Sequence, residues 1–142
     1  MSEEITGRIL IVDDEENITD MLKRHFTFLG HDITTAENGK EAKELLRKSV
    51  YDVVISDIVM PEMNGVDLLD HIRNEYPMMR VIMMTGYVTL TNLLSCMSNQ
   101  ADTVIFKPFD DLKEMENAVN NSLQTLERWK SKLKHLQGMK PE

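Results

Sequence analysis

Four short apolar runs in this chain each stop on groups capable of chemistry. Arg8 to Val12 leads into Asp13 and Asp14, and Val53 to Ser56 into Asp57. Arg80 to Met84 leads into Thr85 and Gly86, and Thr103 to Phe106 into Lys107 and Pro108. If those ends met, the carboxylates of Asp13, Asp14 and Asp57 would repel one another unless a cation sat among them. Their hard oxygens suit Mg2+ or Mn2+ with retained waters. A carboxylate can also act as a nucleophile toward phosphorus, giving an aspartyl phosphate. Phosphoryl transfer mainly requires positioning and neutralisation of negative oxygens, which a divalent ion, the Lys107 ammonium and the Thr85 hydroxyl would supply. Taken singly, each residue has a plainer reading: Asp13 and Asp14 as helix caps, Lys107 as the ion partner of Asp57. Taken jointly, they point to a site.

For these ends to meet, the runs must be parallel strands. Val53, Val54 and Ile55 are β-branched and apolar, as in a strand buried on both faces. The carboxyl tip of such a strand is where open α/β sheets place ligands. Pro61 to Gly65 then forces a turn. Helical spacing fills the gaps. Glu15 to Leu29 carries Ile18, Leu22 and Phe26 on one face and stops at Gly30. Asp32 to Ala36 is a further strand. Asn38 and Gly39 lead into a helix through Arg47; others cover Val66 to Glu75 and Thr89 to Asn99. Asp110 or Asp111 caps a last helix reaching about Leu136, which Gly138 and Pro141 end. Five strands alternating with five helices predict an α/β fold, a doubly wound parallel sheet with helices on both faces.

The bulk composition narrows the field. A length of 142 residues suggests one domain with a short appendage. A net charge of −8 argues against a nucleic-acid surface on the body of the domain. The single Cys96 excludes an internal disulfide, fits a reducing cytoplasm, and lies in an apolar helical pattern that predicts a buried thiol. The polar N-terminus is unlike a secretory signal, and no apolar run approaches the roughly 20 residues a membrane span needs. His25, His31, His71 and His135 form no cluster and read as packing or surface residues.

Four motifs, ILIVDDE, VVISDIVMPEMNG, VIMMTGY and VIFKPF, give the chain a specific resemblance to the response-regulator receiver domains of two-component signalling, over roughly residues 7 to 125. The resemblance implies a flavodoxin-like five-stranded sheet of order 2-1-3-4-5, here with an extended C-terminal helix. It implies that Asp57 accepts phosphate from a sensor histidine kinase or a phosphotransfer protein. Asp14 would bind Mg2+ directly, Asp13 would help through water, and the backbone carbonyl of Val59 would be a further metal ligand. Thr85 and Lys107 would hold the phosphoryl group, and the Lys107–Pro108 bond would be cis. Such a protein is not a conventional enzyme, although it catalyses its own phosphorylation and dephosphorylation. A second reading of the same residues is a pseudo-receiver, a docking or dimerisation module. A third, a flavodoxin-like cofactor binder or hydrolase, is disfavoured because Asp13-Asp14-Glu15 stands where a phosphate-cradling turn would want glycines.

The chain also departs from the family pattern. Val104 stands where relatives carry Tyr or Phe three residues before the lysine, so the usual inward swing of an aromatic ring is unavailable and the signal is expected to leave through the Gly86–Tyr87 loop. Gln100-Ala101 replaces the usual Gly-Ala, so either Asn99 takes over the left-handed cap or Gln100 carries strain. Val59 and Tyr87 flank the site and offer no group to orient an attacking water. Finally, Leu112, Met115, Val119, Leu126, Trp129, Leu133 and Leu136 follow 3,4 spacing with Ser122 as a polar interruption. This divides the chain into a receiver domain at residues 1–125 and a helical extension and tail at 126–142. Leu126 to Leu136 would be free to pair in a homodimer.

Overall fold

The computed structural model describes residues 5–87 and 89–138. In chain order the elements are β1 (Arg8–Val12), α1 (Glu16–Phe28), β2 (Asp32–Ala36), α2 (Gly39–Lys48), β3 (Val53–Asp57), α3 (Gly65–Glu75), β4 (Arg80–Thr85), α4 (Leu90–Ser98), β5 (Thr103–Phe106) and α5 (Lys113–Gln137). All pairings are parallel and the strand order is β2-β1-β3-β4-β5. The alternation of elements thus folds as expected, and helix ends differ from the sequence reading by at most three residues.

The central strands are buried on both faces because each residue of β3 is apolar or small up to Asp57. Side chains alternate between two cores. Leu10, Val12, Val54, Val81 and Met83 face α2, α3 and α4, where they meet Leu46, Leu68, Ile72 and Cys96. Ile9, Ile11, Val53, Ile55 and Met84 face α1 and α5, meeting Leu22, Phe26, Met115 and Val119. Cys96 is fully buried, and burial pushes its thiol pKa up.

Local chemistry sets the element ends. Asn38, Asn64 and Thr89 cap α2, α3 and α4 by accepting the N–H groups of Glu41, Val66 and Asn92. Of the two aspartates expected to cap α5, Asp111 accepts the Lys113 N–H at 2.9 Å, one residue ahead of the Leu112 cap position. Gly30 adopts φ +97° after α1, and Gln100 adopts φ +61° after α4, while Asn99 keeps a negative φ. Of the two expectations at that junction, a non-glycine left-handed residue is the one realised.

Two features of α5 were hidden in its pattern. Ser122 donates to Asp102 Oδ2 at 2.6 Å, and Asp102 also binds the Arg80 guanidinium, so the polar interruption of the seam closes a half-buried network between β4, the start of β5 and α5. Leu126 is only 5% exposed, which corrects the expectation that it is free to pair. The stripe that faces solvent begins at Trp129 (55% exposed) and continues through Leu133 and Leu136. Lys130, just beyond Leu126, also reaches back toward Asp52 at the opposite end of the sheet from the four tips.

The loop after β3 is held by close approach. Gly65 N–H donates to the Ile58 carbonyl at 2.7 Å, and a Cβ on Gly65 would stand 2.0 Å from the Asp57 carbonyl oxygen. Within the same loop, Met63 N–H donates to the Pro61 carbonyl across Glu62, which carries φ +68°. Gly65→Ala is expected to destabilise the fold by about 3 kcal/mol or more, read as a lower urea midpoint, because backbone and not a flexible side chain blocks the methyl.

Candidate functional site

The sheet register delivers the chemistry-bearing residues to one edge. Val12 lies beside Ser56, Asp57 beside Met84, and Thr85 beside Phe106. Ladder bonds continue past the strand ends: Asp13 N–H donates to the Ala36 carbonyl at 3.1 Å, and Lys107 N–H to the Thr85 carbonyl at 2.8 Å. Because β1 and β3 are neighbours while β2 lies to the other side, the edge opens where the strand order reverses, the position at which such sheets bind ligands.

At this edge Asp13, Asp14 and Asp57 present carboxylate oxygens within 4.8 Å of one another. Asp13 and Asp57 are buried and Asp14 is exposed. The Lys107 ammonium enters between them, donating to Asp13 Oδ2 at 2.6 Å and Asp57 Oδ2 at 3.2 Å. A third contact, Glu15 Oε1 at 3.4 Å, was not foreseen. The only sequence signal for it is that Glu15 follows the aspartate pair. The Lys107–Pro108 bond is cis. Asp57 also accepts the Val59 N–H at 3.3 Å, and Asp13 the Glu15 N–H at 2.9 Å.

Thr85 is buried at the same edge, but its hydroxyl is not on the carboxylates. It donates to the Tyr87 carbonyl at 2.7 Å and accepts the Tyr87 N–H at 3.1 Å. Val104 lines a groove of about 300 Å3 with Leu93, Cys96, Met97 and Phe106, space that a valine leaves open. The histidines lie elsewhere, as expected. His25 contacts Glu116 at 2.5 Å between α1 and α5, and Gly7 N–H donates to His31 Nδ1 at 3.2 Å.

The electrostatics follow from one ammonium among several carboxylates. Burial pushes Asp13 up to about 6, against the pull of its hydrogen bond and ion pair with Lys107. Burial likewise raises Asp57, again opposed by Lys107. Burial alone would lower Lys107, but its hydrogen bond to Asp13 and the charges of Asp13 and Asp57 more than offset that, and its pKa is raised. The two aspartates take up protons more readily than free carboxylates because burial disfavours their charged forms by more than the single Lys107 ammonium offsets. An all-oxygen donor set with a deficit of positive charge fits a hard divalent ion such as Mg2+ or Mn2+. Among the described residues this is the one group of three or more acids, histidines or cysteines close enough to share an ion.

The family model for the response regulator receiver domain matches residues 9–120. The regulatory protein AtoC of Escherichia coli (strain K12) is 38% identical over 130 residues, covering 92% of this chain but only 28% of AtoC. The receiver domain protein (CheY-like) of Methanospirillum hungatei JF-1 superposes with a TM-score of 0.83 at 30% identity, covering 87% of this chain and 98% of that one. The response regulator TrrA of Thermotoga maritima, solved in complex with Mg2+ and BeF, superposes with a TM-score of 0.73 at 36% identity, covering 81% of this chain and 97% of that one. No helix of the described residues is long and apolar enough to cross a membrane.

The raised Asp13 pKa fixes a sign. Protonated Asp13 is favoured by folding, so its contribution is fully present below 3.8 and is lost as pH rises through about 6. In EDTA, Asp13→Asn is therefore expected to be more stable than the parent. The margin should grow across that window to roughly 3 kcal/mol at most, and shrink when millimolar Mg2+ is added. Urea unfolding of both proteins against pH measures it.

Proposed function

This chain belongs to the response regulator receiver family, and on that premise we propose that it is a phosphorylation-dependent signalling switch with Asp57 as the phosphoacceptor. The observation that carries the proposal is the Lys107 ammonium held between Asp13 and Asp57, at the rim where Asp14 completes an ion-sized acidic group. The donor would be a phosphohistidine of a sensor kinase or phosphotransfer protein. Its P–N bond breaks, a P–O bond forms to an Asp57 carboxylate oxygen, and the departing imidazole nitrogen takes a proton from solvent. Asp13, Asp14, Asp57 and the Val59 carbonyl would hold Mg2+, which supplies neutralisation of the phosphoryl oxygens when bound. Lys107, 3.2 Å from Asp57 Oδ2, would donate to the transferred group once Asp57 carries it as an acyl phosphate.

Thr85 makes the event visible at the surface. A hydroxyl has one proton to donate. To reach a phosphoryl oxygen, Thr85 must give up the Tyr87 carbonyl, which frees the loop that runs to the Thr89 cap of α4. With Val104 in place of an aromatic ring, the signal leaves through this loop and α4; NMR shifts on phosphorylation confined to β5 would count against this route. The intact set of Asp14, Asp57, Thr85 and Lys107 disfavours a pseudo-receiver that only docks or dimerises. The setting is taken to be cytoplasmic.

Incubation with Mg2+ and a small phosphodonor such as acetyl phosphate should add one phosphoryl mass, and Asp57→Asn should abolish it. No gain in the parent chain sinks the proposal in favour of a docking module. The phosphoprotein should persist well beyond seconds, because neither Val59 nor Tyr87 carries a carboxylate or carboxamide to orient water. Hydrolysis within seconds would exclude this shielding role. A homodimer through the C-terminal helix would now rest on Trp129, Leu133 and Leu136 alone. Light scattering with and without beryllofluoride should then report a dimer that Leu133→Asp abolishes, and a monomer under both conditions removes the idea.

A further inference from the structure

Glu15 is tied to the site twice. It occupies the N-cap position of α1 in an extended conformation, yet its side chain makes no capping hydrogen bond. Its N–H instead donates to Asp13 Oδ1 at 2.9 Å and so orients that carboxylate. Its own carboxylate, 60% exposed at the rim, lies 3.4 Å from the Lys107 ammonium. An ammonium has three protons to donate, and Lys107 has three anionic partners, at 2.6 Å on Asp13, 3.2 Å on Asp57 and 3.4 Å on Glu15.

Two of those partners belong to the acidic group that would hold a divalent ion, and Glu15 does not. A cation placed on Asp13, Asp14 and Asp57 draws on the same carboxylates that Lys107 uses, and its charge repels the ammonium. A largely buried ammonium cannot be left without an anionic partner at small cost. Of its three partners, Glu15 is the one that a bound ion does not claim. Both side chains are long, and small rotations would close the 3.4 Å contact to a full ion-paired hydrogen bond.

We infer that Glu15 is a positioning residue that takes over the Lys107 ammonium when a divalent ion engages the acidic group, keeping it beside Asp57 for the phosphoryl group. This rests on the reading that the acidic group binds such an ion. The Glu15–Lys107 contact strengthens as the Asp13–Lys107 contact is given up, so Glu15 assists ion binding through Lys107 and not merely through its own charge.

The test is calorimetric titration of Mg2+ into the parent chain, Glu15→Gln, Glu15→Asp, Lys107→Met and the Glu15→Gln/Lys107→Met pair. Glu15→Gln should weaken Mg2+ binding about three- to fivefold, the scale of a partly exposed ion pair. Glu15→Asp keeps the charge but shortens the reach, and it should weaken binding nearly as much. In the Lys107→Met background the Glu15→Gln loss should fall below about twofold, a non-additive cycle. Equal losses in both backgrounds, or a Glu15→Asp protein that binds like the parent, overturn the inference while leaving the ion site standing. A parent chain that takes up no Mg2+ at millimolar levels overturns both.

Discussion

The fold's functional edge depends on a single buried ammonium. Lys107 joins β5 to β1 and β3, strands that are not its neighbours in the sheet, by donating to Asp13 and Asp57. Removing one partner of a buried pair costs far more than the pair contributes, because the remaining charge is stranded. Here the imbalance is built in. One cation faces three aspartates and Glu15, and it does not offset the burial that raises the pKa values of Asp13 and Asp57. The central strands β1, β3 and β4 are apolar almost to their tips, and the sheet can carry this unfavourable cluster because the cores beneath it are continuous on both faces. The site is thus a place where stability is given up to create an appetite for positive charge.

Around that fixed centre the connecting loops are held in conformations that can change. Glu62 and Gln100 both sit at positive φ without being glycine, one after β3 and one between α4 and β5. Such residues store strain that only surrounding contacts maintain. The Thr85 hydroxyl is bound up in its own turn with Tyr87, and the α4–β5 groove is open above Val104. The acidic edge and the open α4 side therefore meet at Thr85, whose backbone carbonyl is in turn bonded to the Lys107 N–H.

The architecture was legible from composition because β-branched runs, helical spacing and turn residues agree with one another in every segment. The convergence of Asp13, Asp14, Asp57 and Lys107 was legible because strand tips in a parallel sheet share an edge. What stayed hidden depended on tertiary partners. Ser122 read as a flaw in a seam until Asp102 and Arg80 supplied its hydrogen bond. Leu126 fits a free heptad equally well as a packed one, and only the fold shows it buried. Glu15 read only as the end of an acidic turn, since nothing local signals a lysine arriving from β5. Thr85 was placed correctly in the edge, but its resting bond to Tyr87 is a turn-scale detail that periodicity does not encode.

The chain's own order gives the Asp13–Lys107 contact a temporal meaning. The two residues are 94 positions apart, and the lysine comes from the last strand. As the polypeptide emerges from the ribosome, the aspartates are in place well before their counter-ion exists. Until β5 closes, the edge lacks the one ammonium that the finished fold sets between Asp13 and Asp57.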